Sequence, residues 1–142
     1  MYSIIYRSLA KPEFGKSDIY QMLSAARTNN EDLGITGCLL YHNNQFLQLL
    51  EGDQNQVTKL YQKILNDSRH SHIVTINERI LERPLFVDWS MAFHDFGLNG
   101  SSADQKSRKI DLIFQKSNVF EKPSLMALEF FKSVNEILYS AN

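Results

Sequence analysis

The sequence predicts an α+β protein of the ferredoxin-like type. We expect a βαββαββ sandwich, in which a five-stranded mixed sheet carries two helices on one face, followed by two C-terminal helices. Two observations predict this class. Strand-like and helix-like apolar patterns alternate in that order over about the first 96 residues, and the composition then shifts to a polar stretch followed by two helical patterns.

The first strand and helix are marked by composition and by breakers. SIIYRSL (3–9) is rich in isoleucine and tyrosine and ends before Lys11-Pro12. Ser17 is predicted to cap the helix, which should run to about 27–30, where Asn29-Asn30 and then Gly34 break it. The apolar residues that recur at helical spacing are Ile19, Met22, Leu23 and Ala26.

A hairpin should follow, because two apolar runs flank the turn His42-Asn43-Asn44. The runs are ITGCLLYH (35–42) and QFLQLLEG (45–52). Side chains alternate along a strand, so Leu47 and Leu49 should face opposite to Gln48 and its even-numbered neighbours. Both faces of this strand are apolar, which predicts that both faces of the sheet are covered.

The second helix and the last two strands complete the sheet domain. Asp53 and Gln56 resemble a capping box at the start of the helix, which should stop near Asn66-Asp67. Apolar residues at i, i+3, i+4, i+7 and i+8 define its buried face: Val57, Leu60, Tyr61, Ile64 and Leu65. HIVTINERIL (72–81) and WSMAFHDF (89–96) are predicted strands, separated by Arg83-Pro84.

The chain divides at about residue 97. Residues 1–97 form the predicted domain, and residues 98–142 form a linker (98–107) and a helical extension. Ile110, Ile113 and Phe114 mark a short helix, and Pro123 suits the first turn of a longer one. This extension should pack on the opposite face of the sheet or mediate oligomerisation.

Composition excludes several classes of protein. The formal net charge is −1 and basic residues form no runs, so nucleic acid is not an expected direct partner. MYSIIYRSLA lacks the features of a signal peptide, and no run approaches the roughly 18–20 apolar residues of a spanning helix, so we expect a soluble, cytoplasmic protein. The single cysteine, Cys38, excludes an internal disulfide and is expected to be a buried apolar filler. The four histidines lack zinc-site spacing, so no metal is expected.

Gln48 is the most informative residue. A side-chain amide inside a buried strand costs about 1–3 kcal/mol unless its hydrogen bonds are made. Other polar or aromatic groups also lie on buried elements, namely Tyr6, Asn29, Asn30, Trp89 and Met91. Taken separately these have ordinary interpretations, since a strand tyrosine is usually core, a helix-terminal asparagine is usually a C-cap, and a Trp-x-Met pair usually packs.

Taken together, the segments resemble the BLUF family, sensors of blue light using flavin adenine dinucleotide (FAD). The resemblance covers residues 1–96 in order and spacing. It rests on IIYRS, TNNEDLGITGCLLY, NNQFLQLLEG, NDSRHSHI and WSM. With its two tail helices, the chain looks like the short stand-alone members of the family.

The resemblance implies a role for each matching residue. Tyr6 would donate an electron and then a proton to the photoexcited flavin, and Gln48 would bridge Tyr6 and the flavin N5/C4=O edge. Asn30 would hold the C4=O/N3–H edge, and Trp89 and Met91 would compete for the position nearest Gln48. The rest of the flavin and its phosphate tail would be lined by Asn29, Lys63, Asp67, Arg69 and His70. Lys63 stands where the family often has arginine, and a lysine lacks the bidentate fork for phosphate.

The resemblance thus implies a photoreceptor, not an enzyme, with FAD as cofactor. Its signal would pass through the last strand and the C-terminal helices to a protein partner, or to a change in oligomer state. Two rival classes stay open on the residues alone: an interaction module without cofactor, and a small hydrolase or dark flavin reductase. The sequence shows neither GxGxxG nor GxxxxGK[ST], so nothing in it supports a classical nucleotide-binding enzyme.

Overall fold

A computed structural model describes residues 1–87, 90–95 and 105–140. Trp89 and residues 98–104 of the predicted linker lie outside these ranges. The elements in chain order are β1 (Tyr2–Ala10), α1 (Lys16–Leu33), β2 (Thr36–His42), β3 (Gln45–Gly52), α2 (Gln54–Leu65), β4 (His70–Ile80), β5 (Ala92–Asp95), α3 (Gln105–Gln115) and α4 (Pro123–Leu138).

The strands form one sheet in the order β4-β1-β3-β2-β5. Neighbouring strands are antiparallel, except that β5 runs parallel to β2. The predicted βαββαββ order and the α+β class are therefore confirmed, and α3 and α4 follow the sheet. Among the described residues, no helix combines the length and apolar character needed to cross a bilayer.

Both ends of α1 differ from the prediction. The N-cap is Gly15, whose N–H donates to the Asp18 carboxylate over 2.8 Å, so Ser17 is not the cap. The helix continues past Asn29 and Asn30 to Leu33 and ends at Gly34, whose φ of 69° lies in the left-handed region that favours glycine. Asn30 is therefore a buried helical residue and not a C-cap. Its tertiary contact, described below, outweighs the low helix propensity of asparagine.

The later boundaries are closer to the prediction, apart from β5. Asp53 caps α2 by accepting from the N–H groups of Asn55 and Gln56 at 3.1 and 3.3 Å, as half of the predicted capping box requires. Of the predicted strand 89–96 the structure describes 90–95, and within that range β5 covers 92–95, so Ser90 and Met91 lie before it. Met91 precedes β5 because its carbonyl accepts a hydrogen bond from the Arg27 side chain and does not join the β2–β5 ladder.

The sheet has a core on each face, as the alternation in β3 predicts. Phe46 and Leu50 pack beneath α1 and α2, and we call this side the α1/α2 face. Leu47 and Leu49 pack on the other side against residues of α3 and α4, and we call this side the α4 face. Gln48 points to the α1/α2 face. Strand β3 therefore contributes alternate side chains to the two cores and lies between them.

Truncating the centre of the α4-face core should destabilise the fold strongly. Phe131 is fully buried, and its ring lies 6.4 Å from that of Phe86 at 89°. We expect Phe131→Ala to lower the free energy of unfolding by about 3–5 kcal/mol, measured by urea denaturation. Leu125→Ala on the same helix, where the side chain is 76% exposed, should change it by less than about 0.5 kcal/mol. Equal small losses in both variants would contradict the assigned core.

Candidate functional site

A cleft opens between α1 and α2 above β3. It holds about 870 Å³ of empty space, a volume that includes solvent at its mouth. Apolar side chains line most of it: Met22, Leu23, Ala25, Ala26, Leu39, Leu50, Leu60 and Ile64. The polar or functional residues that line it are Asn29, Asn30, Gln48, Lys63, Asp67, Arg69, His70 and Met91. The fold therefore brings together eight residues from distant segments.

A chain of hydrogen bonds lies at the inner end of the cleft. Tyr6 and Gln48 are directly opposed in the antiparallel β1–β3 pair, and the Tyr6 hydroxyl donates to Gln48 Oε1. Gln48 Nε2 in turn donates to Met91 Sδ over 3.3 Å. An amide has both donors and acceptors, so Gln48 can join the two partners. These contacts explain how an amide is tolerated at a position only 8% exposed.

Tyr6 sits behind Gln48 and does not itself line the cleft. Burial raises the pKa of Tyr6 far above that of a free tyrosine, and the nearby Tyr61 and Asp67 raise it further. The Tyr61 ring lies 5.4 Å from that of Tyr6, but its hydroxyl pairs with Thr75 at 2.6 Å. Tyr6 is therefore held as a neutral hydroxyl that donates to Gln48.

Helix α1 fixes the segment that enters β5. Asn30 Nδ2 donates to the Ser90 carbonyl, and Arg27 Nε donates to the Met91 carbonyl, both over 2.9 Å. The sequence prediction missed Arg27, since only the fold brings it to a carbonyl 64 residues away. Trp89 lies outside the described residues, so its competition with Met91 stays a prediction.

Charged and polar groups also line the cleft. The Arg69 guanidinium contacts Asp67, with Nε 2.9 Å from Oδ2, and these hydrogen bonds hold the pKa of the Asp67 carboxyl below its usual value. His70 Nε2 lies 2.9 Å from the Ile64 carbonyl, which can only accept, so Nε2 carries the proton. The other ring nitrogen lies 2.8 Å from the buried Ser8 hydroxyl, a contact that the sequence prediction missed although Ser8 shares the face of Tyr6. Lys63 also lines the cleft, and its side chain is exposed.

A family model described as "BLUF: Sensors of blue-light using FAD" matches residues 1–92. The chain belongs to the BLUF family. The predicted family is thereby confirmed, and the BLUF match covers β1 through the start of β5.

The chain resembles proteins whose names describe a response to light, in sequence and in structure. Photoactivated adenylate cyclase subunit beta of Euglena longa is 36% identical over 90 residues, which cover 63% of this chain and 10% of that protein. The blue light- and temperature-regulated antirepressor BluF of Escherichia coli (strain K12) is 38% identical over 74 residues, covering 52% of this chain and 18% of that protein. The chain thus spans less than a fifth of the length of these two relatives. The photo-activated state of BlsA matches with a TM-score of 0.74 and 29% identity, over 99% of this chain and 96% of that one.

The residues of the BLUF cleft fit a flavin. A flavin has a flat aromatic ring with a polar edge, and ligand sites of this kind combine apolar walls with a few placed polar groups. Here the walls are apolar, the Gln48 and Asn30 amides are buried, and the exposed side chains of Lys63 and Arg69 bring positive charge. No group of three or more His, Cys, Asp or Glu side chains in the described part of the chain is placed to hold a metal ion.

Proposed function

We propose that this BLUF chain is a blue-light photoreceptor that binds FAD non-covalently in the cleft between α1 and α2. The observation that carries the proposal is the buried chain of hydrogen bonds from Tyr6 through Gln48 to Met91 at the inner end of the cleft. Tyr6, whose phenol can be oxidised, thus bonds to Gln48, whose amide can exchange its donor and acceptor ends, beside a cleft that could hold the flavin ring.

Two groups of cleft residues suit different parts of FAD. Gln48 and Asn30 would meet the polar edge of the ring, and an amide has more hydrogen-bonding capacity than the contact between Asn30 and Ser90 uses. Asn29, Asp67 and His70 would line the outer part of the cofactor, and Lys63 with Arg69 would face its phosphates. Asp67 engages Arg69, so Lys63 is the cation we expect to contribute more to phosphate binding.

The bound flavin would supply blue-light absorption and accept one electron. Tyr6 would give up the electron and its hydroxyl proton, and the proton would leave along the existing bond to Gln48 Oε1. On their return Gln48 can be left rotated or tautomerised, because its side chain carries donor and acceptor ends. A changed hydrogen bond to the ring carbonyl would shift the flavin absorption to the red.

Output would follow from the contact between Gln48 and Met91. Met91 leads directly into β5, and the adjacent α4 face carries α3 and α4. A complete switch from 1:99 to 99:1 needs about 5.5 kcal/mol, more than one rearranged hydrogen bond provides, so we expect a partial population shift. The proposed readout is altered affinity for a protein partner or altered self-association, without turnover of a metabolite and without direct contact with nucleic acid or membrane. A cytoplasmic location stays part of this proposal.

The function is tested by expressing the chain with FAD available and recording its absorption before and after blue light. We expect a yellow protein whose flavin band moves to the red and relaxes in darkness. Heat release of the cofactor followed by chromatography should give FAD. A colourless protein, or a flavin band that does not respond to light, would contradict the function, and release of FMN would correct the cofactor alone.

The raised pKa of Tyr6 predicts how the photocycle depends on pH. A tyrosine with the ordinary pKa of about 10 would be half ionised at about pH 10. Because burial raises the pKa of Tyr6, its hydroxyl should stay protonated as the pH rises through that value. We expect the amplitude of the light-induced shift to be constant from about pH 7 to about pH 10. Loss of half the amplitude near pH 10, with unchanged circular dichroism, would contradict the assigned environment.

A further inference from the structure

Glu51 is a fully buried acidic residue that the photocycle does not use. It lies in β3, three positions after Gln48, and its odd number places it on the α4 face. Burying an isolated carboxylate costs folding free energy, so the contacts that offset this cost indicate the role of the residue. Burial raises the pKa of Glu51, while hydrogen bonds from Phe86, Leu85 and Thr36 oppose the rise.

The Glu51 carboxylate holds the connection between β4 and β5. Its Oε2 accepts from the backbone N–H of Leu85, and its Oε1 accepts from that of Phe86, both over 2.7 Å. The Thr36 hydroxyl also donates to Oε1, over 3.1 Å. Each carboxylate oxygen therefore accepts an N–H from one of two consecutive residues. A glutamine would present an NH₂ group to one of these N–H donors and could satisfy only one of them.

The positive charge of Arg79, which lies in register with Glu51 across the sheet, favours the ionised form of the Glu51 carboxyl. Thr36 and Ser3 are the direct neighbours of Glu51 on β2 and β1, and Arg79 is the neighbour of Ser3 on β4. The Arg79 cation lowers the pKa of Glu51 through its charge. The buried charge thus has an opposite charge two strands away as well as three hydrogen-bond donors.

The residue held by Glu51 reaches into the α4-face core. Phe86 is fully buried, and it packs at 89° against Phe131 of α4, which is also fully buried. The other end of the same connection is the segment whose carbonyls, at Ser90 and Met91, are held by α1. One connection between strands therefore contacts the Gln48 site at one end and α4 at the other.

From this geometry we infer that Glu51 is a positioning residue for signal output: it fixes the β4–β5 connection so that a displacement of Met91 is transmitted through Phe86 to α4. This inference rests on the proposed photoreceptor function. It differs from transmission through β5 alone, because it predicts that the link to α4 depends on a carboxylate outside the cleft.

Hydrogen exchange measured by mass spectrometry, on the FAD-bound chain in darkness and under blue light, tests the inference. Glu51→Gln should speed exchange of either the Leu85 or the Phe86 amide by roughly tenfold or more, because the glutamine side chain can accept a hydrogen bond from only one of the two. It should keep the visible red shift. We expect the unsubstituted chain to show a light-dependent change in exchange over 123–138, and Glu51→Gln should lose it. Glu82→Gln removes the same charge from an exposed position in the same connection and should preserve all three properties.

The outcomes separate this inference from the function itself. Absence of a red shift in the unsubstituted chain would defeat the photoreceptor proposal before exchange is measured. An unaltered α4 response in Glu51→Gln, or no α4 response in the unsubstituted chain, would overturn the role of Glu51. If Glu51→Gln does not fold, Phe86→Leu provides the test. This variant should keep the Leu85 and position-86 amides protected and lose the light-dependent exchange change in α4. A normal α4 response in Phe86→Leu would overturn the proposed transmission through Phe86.

Discussion

Tyr6→Phe is expected to bind flavin normally and to show no light-induced red shift. The substitution removes a single oxygen, the atom that donates to Gln48 Oε1. Without the hydroxyl there is no proton to move along that bond. Flavin binding should persist, because Tyr6 does not line the cleft. Absorption difference spectra of the flavin-loaded variant before and after illumination give the measurement.

Tyr61→Phe is the matched control for Tyr6→Phe. Tyr61 is the neighbouring aromatic ring on α2, with its centroid 5.4 Å from that of Tyr6, but its hydroxyl bonds to Thr75. This variant should keep the red shift. A normal photoshift in Tyr6→Phe would defeat the donor role, and loss of the shift in both variants would indicate a general effect on the site.

Gln48→Leu should likewise eliminate the red shift. Leucine has a similar bulk but offers neither the acceptor for Tyr6 nor the donor for Met91, so both hydrogen bonds disappear together. The Tyr6 hydroxyl would be left buried without that acceptor, which costs about 1–3 kcal/mol of folding free energy. We therefore expect a lower urea midpoint together with a flavin band that does not move on illumination.

Gln45→Leu controls for the loss of an amide from β3. Gln45 lies at the start of the same strand and is half-buried, away from the cleft between α1 and α2. It should leave the photoshift intact and change stability little. A full red shift in Gln48→Leu would show that the amide is not the switching element.

Regular elements were predictable where neighbouring residues alone determine them. The alternation of Leu47 and Leu49 against Gln48 follows from strand geometry, and it assigned the two faces of the sheet. The start of α2 follows from the Asp53 side chain, whose capping bonds reach only two and three residues ahead.

Boundaries set by distant partners were not predictable in the same way. Asn29-Asn30 reads locally as a helix end, but the Asn30 amide bonds to a carbonyl 60 residues later and α1 continues. The Arg27 contact similarly removes Met91 from the predicted last strand. Local sequence carries no information about either partner.

The cleft residues could be proposed from the sequence because several segments share the family pattern in order. Ser8 and Glu51 were missed although strand alternation places each of them on a buried face. A polar residue on a buried face signals an unseen partner, as Gln48 did. Identifying that partner required the fold, which brings Ser8 to His70 and Glu51 to the connection before β5.

The central claim is that light leaves the Gln48 side chain with different hydrogen bonds. Light-minus-dark infrared spectra of the flavin-loaded chain, with and without isotopically labelled glutamine, test it most directly. We predict a band that moves with the label in the unsubstituted chain and disappears in Gln48→Leu, together with a lowered flavin carbonyl stretch. A complete visible red shift without any label-sensitive band would contradict the account.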